Sequence, residues 1–408
     1  MRIGLFTESY PPLINGVSTS VQTLTAQLEH AGHEVFVFTS RYPRYQDARP
    51  HVYRYPSFNS LVEPDYVLPI PISPSIAAAI PRLKLDIVHS QSPFLLGLLA
   101  RRIARRYGLP HLSTNHTLYS EYAHYFPLLP RAFVKVAIIR WMHKFYNSCD
   151  HVLAPSHLTC TRLQEYGVHA PISVVPTGIP APPFLLAKPA DTKRDLGLPP
   201  HARLLLYVGR LAPEKNLGML LRAFRRISDQ TDDTFLVLAG SGTSASALRR
   251  RAKQLGIEAR TLFTGFVGRT TLDPLYAASD LFLFPSVTET QGLAVGEALA
   301  AGTPCIVVNG GGAPEAIRSG VNGFVVEDDP AQMAAHALRL LGDDALRRSM
   351  AGEALAGAAL MTPEHAARRI LTLYEELVGR QGGKPPMTAQ NTVPAQENGA
   401  GSAPPPQI

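Results

Sequence analysis

Cysteine is scarce in this chain. Only Cys149, Cys160 and Cys305 occur among 408 residues, and no C-x-x-C pair is present. That excludes a disulfide framework and a paired-cysteine zinc site, and it fits a reducing cytosol. No uncharged apolar run reaches the ~18 residues that a membrane-spanning helix requires. The opening stretch "MRIGLFTESYPP" lacks the long apolar segment of a signal peptide and reads as a first strand with its loop. No G-x-G-x-x-G follows that strand, which argues against a dinucleotide oxidoreductase. Charged residues amount to 17% against 45% hydrophobic, the balance of a globular protein with large cores.

The charge that is present is unevenly placed. Residues 1–175 carry 16 Lys and Arg against 10 Asp and Glu, whereas the remaining 233 carry 23 against 22. The first part is therefore a basic unit and the second is balanced. A basic unit suits an anionic substrate, an anionic membrane surface or nucleic acid. No recognisable nucleic-acid-binding module accompanies the charge, which weakens the last of these. A chain this long exceeds one core, so two domains, each somewhat under about 200 residues, are expected.

The apolar patterning describes those two units. "RIGLF" is a strand, and "VSTSVQTLTAQLEHAG" puts Val17, Val21, Leu24, Leu28 and Ala31 on one helical face before Gly32 stops it. "EVFVFTS", "DIVHSQS", "HLSTN", "HVLAPS" and "ISVVPT" follow as buried strands with helices between them. This α/β alternation predicts a doubly wound parallel sheet over residues 1–180. Proline-rich, aperiodic sequence from 176 onward predicts a linker, drawn at 181–200. The pattern restarts with "RLLLYVG", "TFLVLAG", "TLFTGF", "LFLFPS" and "PCIVV", giving a second doubly wound lobe over 201–362. A final helix is expected at 363–380 and a disordered tail at 381–408. Two such lobes facing each other across a cleft bring ligands together at the carboxyl ends of their strands.

Candidate chemistry gathers in "FPSVTETQGLAVGEALAAGTPCIVV", residues 284–308. Glu289 falls in the loop after a buried strand, and a helix is predicted to start near Gly292. The first N–H groups of that helix, at Gly292 and Leu293, form an anion site suited to phosphate. Glu297 lies about a turn and a half inside the helix. The two carboxylates thus flank a phosphate position and suit the hydroxyls of a polyol on either side, as in a nucleotide sugar. Taken alone, the pair equally describes a surface carboxylate and a helix residue near the positive dipole end. In "YVGRLAPEKNLGMLLRAF", Arg210 and Lys215 occupy a short loop before a helix expected from about Asn216. Two cations there would balance a diphosphate and stabilise it as a leaving group; taken alone they describe solvated loop charges as well. Gly16, between the first strand and the first helix, either admits a phosphate or makes a tight turn. His116 follows a buried strand, with Tyr119, Tyr122 and Tyr125 beyond it.

The E-x7-E segment, "GRLAPEKN" and the "NGVSTSV" loop, in that context, resemble the retaining GT-B glycosyltransferases of family 4 over roughly residues 1–380. The resemblance implies a GT-B architecture of two Rossmann-like lobes facing a central cleft. It implies that Glu289 contacts donor sugar hydroxyls, Glu297 the ribose, and Arg210 and Lys215 the diphosphate. Gly16 would close on the diphosphate from the other lobe. The backbone of Gly292 and Leu293 would meet phosphate and sugar, with Phe266 and Val267 bordering the base. His116 matches the histidine beside the transferred sugar, completing a candidate catalytic set of His116, Glu289, Arg210 and Lys215. "HTLYSEYAHYFPLLP" and "ETQG", where many relatives have an aromatic at 291, resemble the diacylglycerol-glycosylating subset. Pro180 and Thr243 depart from the family pattern at positions without a proposed ligand contact.

The resemblance implies a hexose moved from a nucleotide sugar, UDP-glucose or UDP-galactose, to a lipid acceptor, diacylglycerol. The alternatives are a GDP-mannose-dependent transferase or a soluble acceptor; more distant ones are a nucleotide-sugar epimerase and a non-catalytic binding module. No cofactor and no metal are expected. Residues 129–148 predict a helix with Val134, Ile138, Trp141 and Phe145 on one stripe and Arg140, His143 and Lys144 opposite. Its surplus apolar surface suits either neighbouring core elements or an anionic membrane headgroup region. Tyr119, Tyr122, Arg140, Trp141 and Lys144 are therefore candidate acceptor and membrane residues. The expected location is the cytoplasm, peripheral to the inner face of the cell membrane.

Overall fold

The computed structural model describes residues 1–60, 67–121, 130–180 and 189–381. The expectations placed on Tyr122, on 181–188 and on the tail from 382 lie outside the described residues.

The N-terminal lobe runs β1 (Arg2–Phe6), α1 (Gly16–His30), β2 (Glu34–Ser40), β3 (Val52–Tyr55), β4 (Ser57–Asn59), β5 (Val67–Pro69), α2 (Pro74–Leu83), β6 (Ile87–Ser90) and α3 (Leu95–Tyr107). It continues through β7 (His111–Thr114), α4 (Arg131–Tyr146), β8 (His151–Ala154), α5 (His157–Glu165) and β9 (Ile172–Val174). Seven strands pair in the order β3-β2-β1-β6-β7-β8-β9, and every pairing is parallel. Strands buried on both faces need continuous apolar runs, which is why "RIGLF" and "EVFVFTS" were readable. A small antiparallel hairpin, β4 with β5, lies outside this sheet.

The second lobe runs α6 (Pro189–Asp195), β10 (Arg203–Val208), α7 (Leu217–Ser228), β11 (Thr234–Ala239), α8 (Ala245–Gln254), β12 (Thr261–Gly265), α9 (Arg269–Ala278) and β13 (Leu281–Phe284). After it come α10 (Leu293–Ala300), β14 (Cys305–Val308), β15 (Gly323–Val326), α11 (Pro330–Gly342), α12 (Asp344–Ala358) and α13 (Pro363–Gln381). The parallel order is β12-β11-β10-β13-β14-β15. Both sheets are therefore doubly wound, each around its own apolar core.

α13 leaves the second lobe and packs on the first. Ile370, Tyr374 and Leu377 join the core beneath β1 and β2. The Tyr374 hydroxyl lies 2.6 Å from His89 Nδ1, and Gln27 Nε2 of α1 donates to Glu364 at 3.1 Å. Some features were not read from the sequence. Residues 189–195, inside the expected linker, form α6, and the strands β3, β4, β5 and β15 were not foreseen.

Candidate active site

Three loops at the carboxyl ends of β10, β12 and β13 build the second-lobe wall of the cleft. After β10 the chain makes a single 3₁₀ turn over Pro213–Lys215, and Asn216 adopts a left-handed conformation that starts α7. The turn carries Lys215 towards the loop after β13, where its Nζ donates to Glu289 Oε1 at 2.6 Å. Arg210 Nη2 donates to Glu214 Oε1 at 2.5 Å, and that glutamate side chain is only 4% exposed. Both expected leaving-group cations are thus already held by carboxylates, where the sequence reading had them as loop charges awaiting a diphosphate.

The loop after β13 ends at Gly292, with φ +76°. A Cβ there would stand 2.7 Å from the Ala313 Cβ, so this position needs glycine for both its backbone and its space. α10 then starts at Leu293 with no side-chain cap, leaving its leading N–H groups for an anion. One and a half turns on, Glu297 accepts from Arg269 Nη1 at 2.6 Å and from the Tyr276 hydroxyl at 2.8 Å. Arg269 also pairs with buried Asp273 at 3.0 Å, whose carboxyl is pushed up by burial. Burial and the Glu297 charge drive the Tyr276 hydroxyl well above its ordinary range, so it stays protonated and donating. Phe266, beyond β12, is 58% exposed at the cleft wall's rim, while Val267 packs against the core.

The first lobe faces this wall. Asn15 caps α1 by accepting the Ser18 N–H at 2.8 Å. A Cβ on Gly16, the first residue of α1, would lie 3.5 Å from Leu293 Cδ1. The start of α1 therefore lies against the first residue of α10 across the cleft. His116, just past β7, has Nε2 2.7 Å from Gln91 Oε1. Its carbonyl accepts the Thr290 hydroxyl of the second lobe at 2.9 Å. Burial pushes its pKa down to about 4, so the ring is neutral near pH 7. The structure thus brings Gly16, His116, Lys215, Glu289, Gly292 and Leu293 to one cleft, with Arg210, Glu297, Phe266 and Val267 on the loops and helices of its second-lobe wall.

The candidate acceptor residues lie on the first lobe. Tyr119 packs edge-on against Phe94, ring centres 4.9 Å apart. On α4 the inward side is Val134, Met142, Phe145 and Tyr146. Trp141, expected on that stripe, is instead 37% exposed and donates from Nε1 to the Pro93 carbonyl at 3.0 Å. The inward stripe passes instead through Met142, Phe145 and Tyr146, which share a core with Val152 of β8 and Leu163 of α5. Arg140 and Lys144 are exposed, together with Phe133 and Val136.

Sequence reasoning missed several residues. Gln291 spans the cleft floor: its Oε1 accepts the Thr177 N–H at 2.8 Å and its Nε2 donates to the Thr177 carbonyl at 2.9 Å. Glu315 accepts the N–H groups of His157 and Leu158, 2.8 and 2.7 Å away, capping α5 from the opposite lobe. The signal that was available is "NGGGAPEAI", 309–317. A Cβ on Gly312 would fall 2.0 Å from the Thr290 carbonyl oxygen, so the Glu289 loop lies directly on these glycines. Among the described residues no three His, Cys, Asp or Glu side chains gather as metal ligands, and no helix is long and apolar enough to cross a membrane.

Family models match both lobes: Glycosyltransferase Family 4 over residues 14–181 and Glycosyl transferases group 1 over 190–355. The alpha-monoglucosyldiacylglycerol synthase of Streptococcus pneumoniae is 34% identical over 315 residues, 75% of this chain and 70% of the relative. The chain is a family 4 glycosyltransferase. Other relatives of this glycosyltransferase include an alpha-monoglucosyldiacylglycerol synthase of Acholeplasma laidlawii, 28% identical over 94% of this chain and 99% of the relative. A GDP-mannose-dependent alpha-mannosyltransferase of Corynebacterium glutamicum is 29% identical over 93% of this chain and 89% of the relative. Among solved structures, sucrose-phosphate synthase from Thermosynechococcus elongatus superposes with a TM-score of 0.74 at 23% identity, covering 93% of this chain and 99% of that one. Anabaena HepE in complex with UDP gives 0.73 at 19% identity over 92% and 100%. The architecture of this glycosyltransferase is therefore GT-B, two Rossmann-like lobes around one cleft.

Proposed function

We propose that this glycosyltransferase moves a hexosyl group from a UDP-sugar to diacylglycerol at an anionic membrane surface, with retention of anomeric configuration. The observation that carries the donor half is the meeting of two helix starts, α1 at Gly16 and α10 at Leu293, beside the Lys215–Glu289 pair. A diphosphate placed there takes the N–H groups of α10 and the charges of Lys215 and Arg210. Glu289 receives sugar hydroxyls and Glu297 the ribose hydroxyls, while Phe266 and Val267 border the base.

In the transfer step the acceptor oxygen bonds to the anomeric carbon as the bond from that carbon to the diphosphate oxygen breaks. The acceptor's proton passes to the departing diphosphate oxygen, whose growing charge Arg210 and Lys215 stabilise. No metal is needed to balance this charge. His116, neutral beside the sugar, orients it.

The lipid half is supported by the two diacylglycerol-glucosylating relatives and by the outer face of α4, where Phe133 and Val136 stand exposed among Lys135, Arg140 and Lys144. That face would place the enzyme peripherally on the cytoplasmic side of the membrane. A GDP-mannose donor is the second reading, favoured by the mannosyltransferase that aligns along 93% of the chain.

The test is a donor screen. Purified protein is mixed with diacylglycerol liposomes and UDP-glucose, UDP-galactose or GDP-mannose, with and without EDTA, and lipid products are identified by mass spectrometry. A hexosyl-diacylglycerol formed from a UDP-sugar, insensitive to EDTA, is expected. No lipid product from any donor, with a soluble acceptor glycosylated instead, would overturn the acceptor assignment.

A further inference from the structure

Gln91 follows directly on β6 and is 2% exposed. Its side chain is shared between two surroundings. Oε1 lies 2.7 Å from His116 Nε2. Nε2 has no partner among the described residues, and the residue helps line a cavity of about 30 Å³ together with Ser20, Thr114, Thr177 and Ile370. That space accommodates a water able to take the amide N–H. In this arrangement the amide turns its carbonyl towards the imidazole.

A neutral imidazole exists in two tautomers, and the partner of one nitrogen decides which is present. A carbonyl oxygen accepts only, so His116 must carry its proton on Nε2 and leave Nδ1 as an acceptor. The residue is held from both lobes: Gln91 meets its ring, and its backbone carbonyl takes the hydroxyl of Thr290, the residue next to Glu289. The groups around the cavity, Ser20 and Thr23 of α1, Thr114, Thr177 and Ala366 of α13, are uncharged. The titratable neighbour is His89, whose ring is occupied by Thr114 and Tyr374 and is itself kept neutral by burial. On the second-lobe side Glu289 is tied to Lys215.

We propose that Gln91 is a positioning residue that fixes the tautomer and angle of His116, so that Nδ1 accepts a hydroxyl of the transferred sugar. This rests on His116 lying beside that sugar, as proposed above. The sugar hydroxyl then donates to Nδ1 without any proton leaving the enzyme, and its oxygen keeps a fixed direction as the glycosidic bond breaks.

Two substitutions separate this from a structural role. In Gln91→Glu a carboxylate of the same shape stands against Nε2 and favours the imidazolium. In Gln91→Met the volume is kept and the acceptor is lost. Long-range proton–nitrogen correlation spectra of the ligand-free protein read the tautomer and titration of His116 directly, and need no substrate. The wild type is expected to show one neutral Nε2–H tautomer from pH 5 to 8. Gln91→Glu should shift His116 titration upward, with kcat falling as the ring charges. Gln91→Met should mix tautomers and lose about 10²-fold in kcat, the scale of a misplaced reacting group, with little change in donor KM.

A wild-type ring that titrates normally or populates both tautomers would overturn the proposal, whatever reaction the enzyme performs. A fixed tautomer that both variants disturb without any change in kcat or its pH profile would overturn the catalytic link. In that case the donor-site reading itself stays intact, because Lys215 and Arg210 are tested separately.

Discussion

On the second-lobe wall of the cleft the charges arrive in pairs: Glu289 with Lys215, Glu214 with Arg210, Glu297 with Arg269. On the first-lobe wall the corresponding groups are neutral, namely Gly16, Gln91 and a His116 kept uncharged by burial. The positive charge of the first lobe lies elsewhere, on the outer faces of α3 and α4, at Arg102, Arg105, Arg106, Lys135, Arg140 and Lys144. The same doubly wound architecture thus carries two kinds of wall. Under the proposed function, one lobe would hold balanced charge that a diphosphate can enter without a bare cation being buried beforehand. The other would offer a neutral surface to the sugar and keep its charge on its outer faces.

Removing a cation from the charged wall should break this contrast most severely. Lys215→Ala deletes a leaving-group cation and strands Glu289, whose side chain is 22% exposed. Turnover should fall about 10²–10³-fold, the scale for loss of one transition-state donor. Steady-state kinetics on the purified variant reads this, and near-normal turnover would mean the diphosphate does not use Lys215.

Acid tests the neutral wall. Burial lowers the pKa of His89, holds His111 down to about 3 and His116 to about 4, whereas unfolded histidine takes up its proton near pH 6.5. Between about pH 4 and 6.5 the unfolded chain therefore binds more protons, so stability falls as pH falls through that window. Glu8 and Asp273, both pushed up by burial, act in the opposite sense, but burial also lowers His33, His151 and His336, so the histidines outnumber them. Denaturant midpoints at pH 7.5 and 5.0 should show the loss, and His111→Asn should reduce it. A flat profile would mean these rings are not neutral in the folded state.

The smallest effect is expected at the rim. Phe266 is 58% exposed and owes little to the core, so Phe266→Ala should leave stability almost unchanged. Nucleotide affinity should weaken by about 1 kcal/mol if the ring stacks on the base. Calorimetric titration with UDP measures this, and an unchanged affinity would place the base elsewhere.

Much of the fold was legible because parallel strands are buried on both faces and so spell themselves as apolar runs. Gly292 was legible for the same reason in reverse, a glycine breaking such a run where the backbone turns left-handed. The pairing of Lys215 with Glu289 was not, since it joins two loops 74 residues apart that only the sheet order brings together. Glu315 and Gln91 stayed hidden too. Each looks like an ordinary polar residue until the opposite lobe, or the neighbouring strand end, supplies its partner. Spacing alone puts Trp141 on one stripe with Val134 and Phe145, yet it is exposed where they are buried, and its indole N–H donates to the Pro93 carbonyl.

The most direct measurement is a crystal structure of the protein soaked with UDP or a UDP-sugar. The diphosphate should lie at the start of α10, within hydrogen-bonding reach of the Leu293 N–H, Lys215 and Arg210, with Gly16 closing from the first lobe. Density for the diphosphate against the first-lobe strand ends, away from α10 and both cations, would contradict the charge-paired donor site.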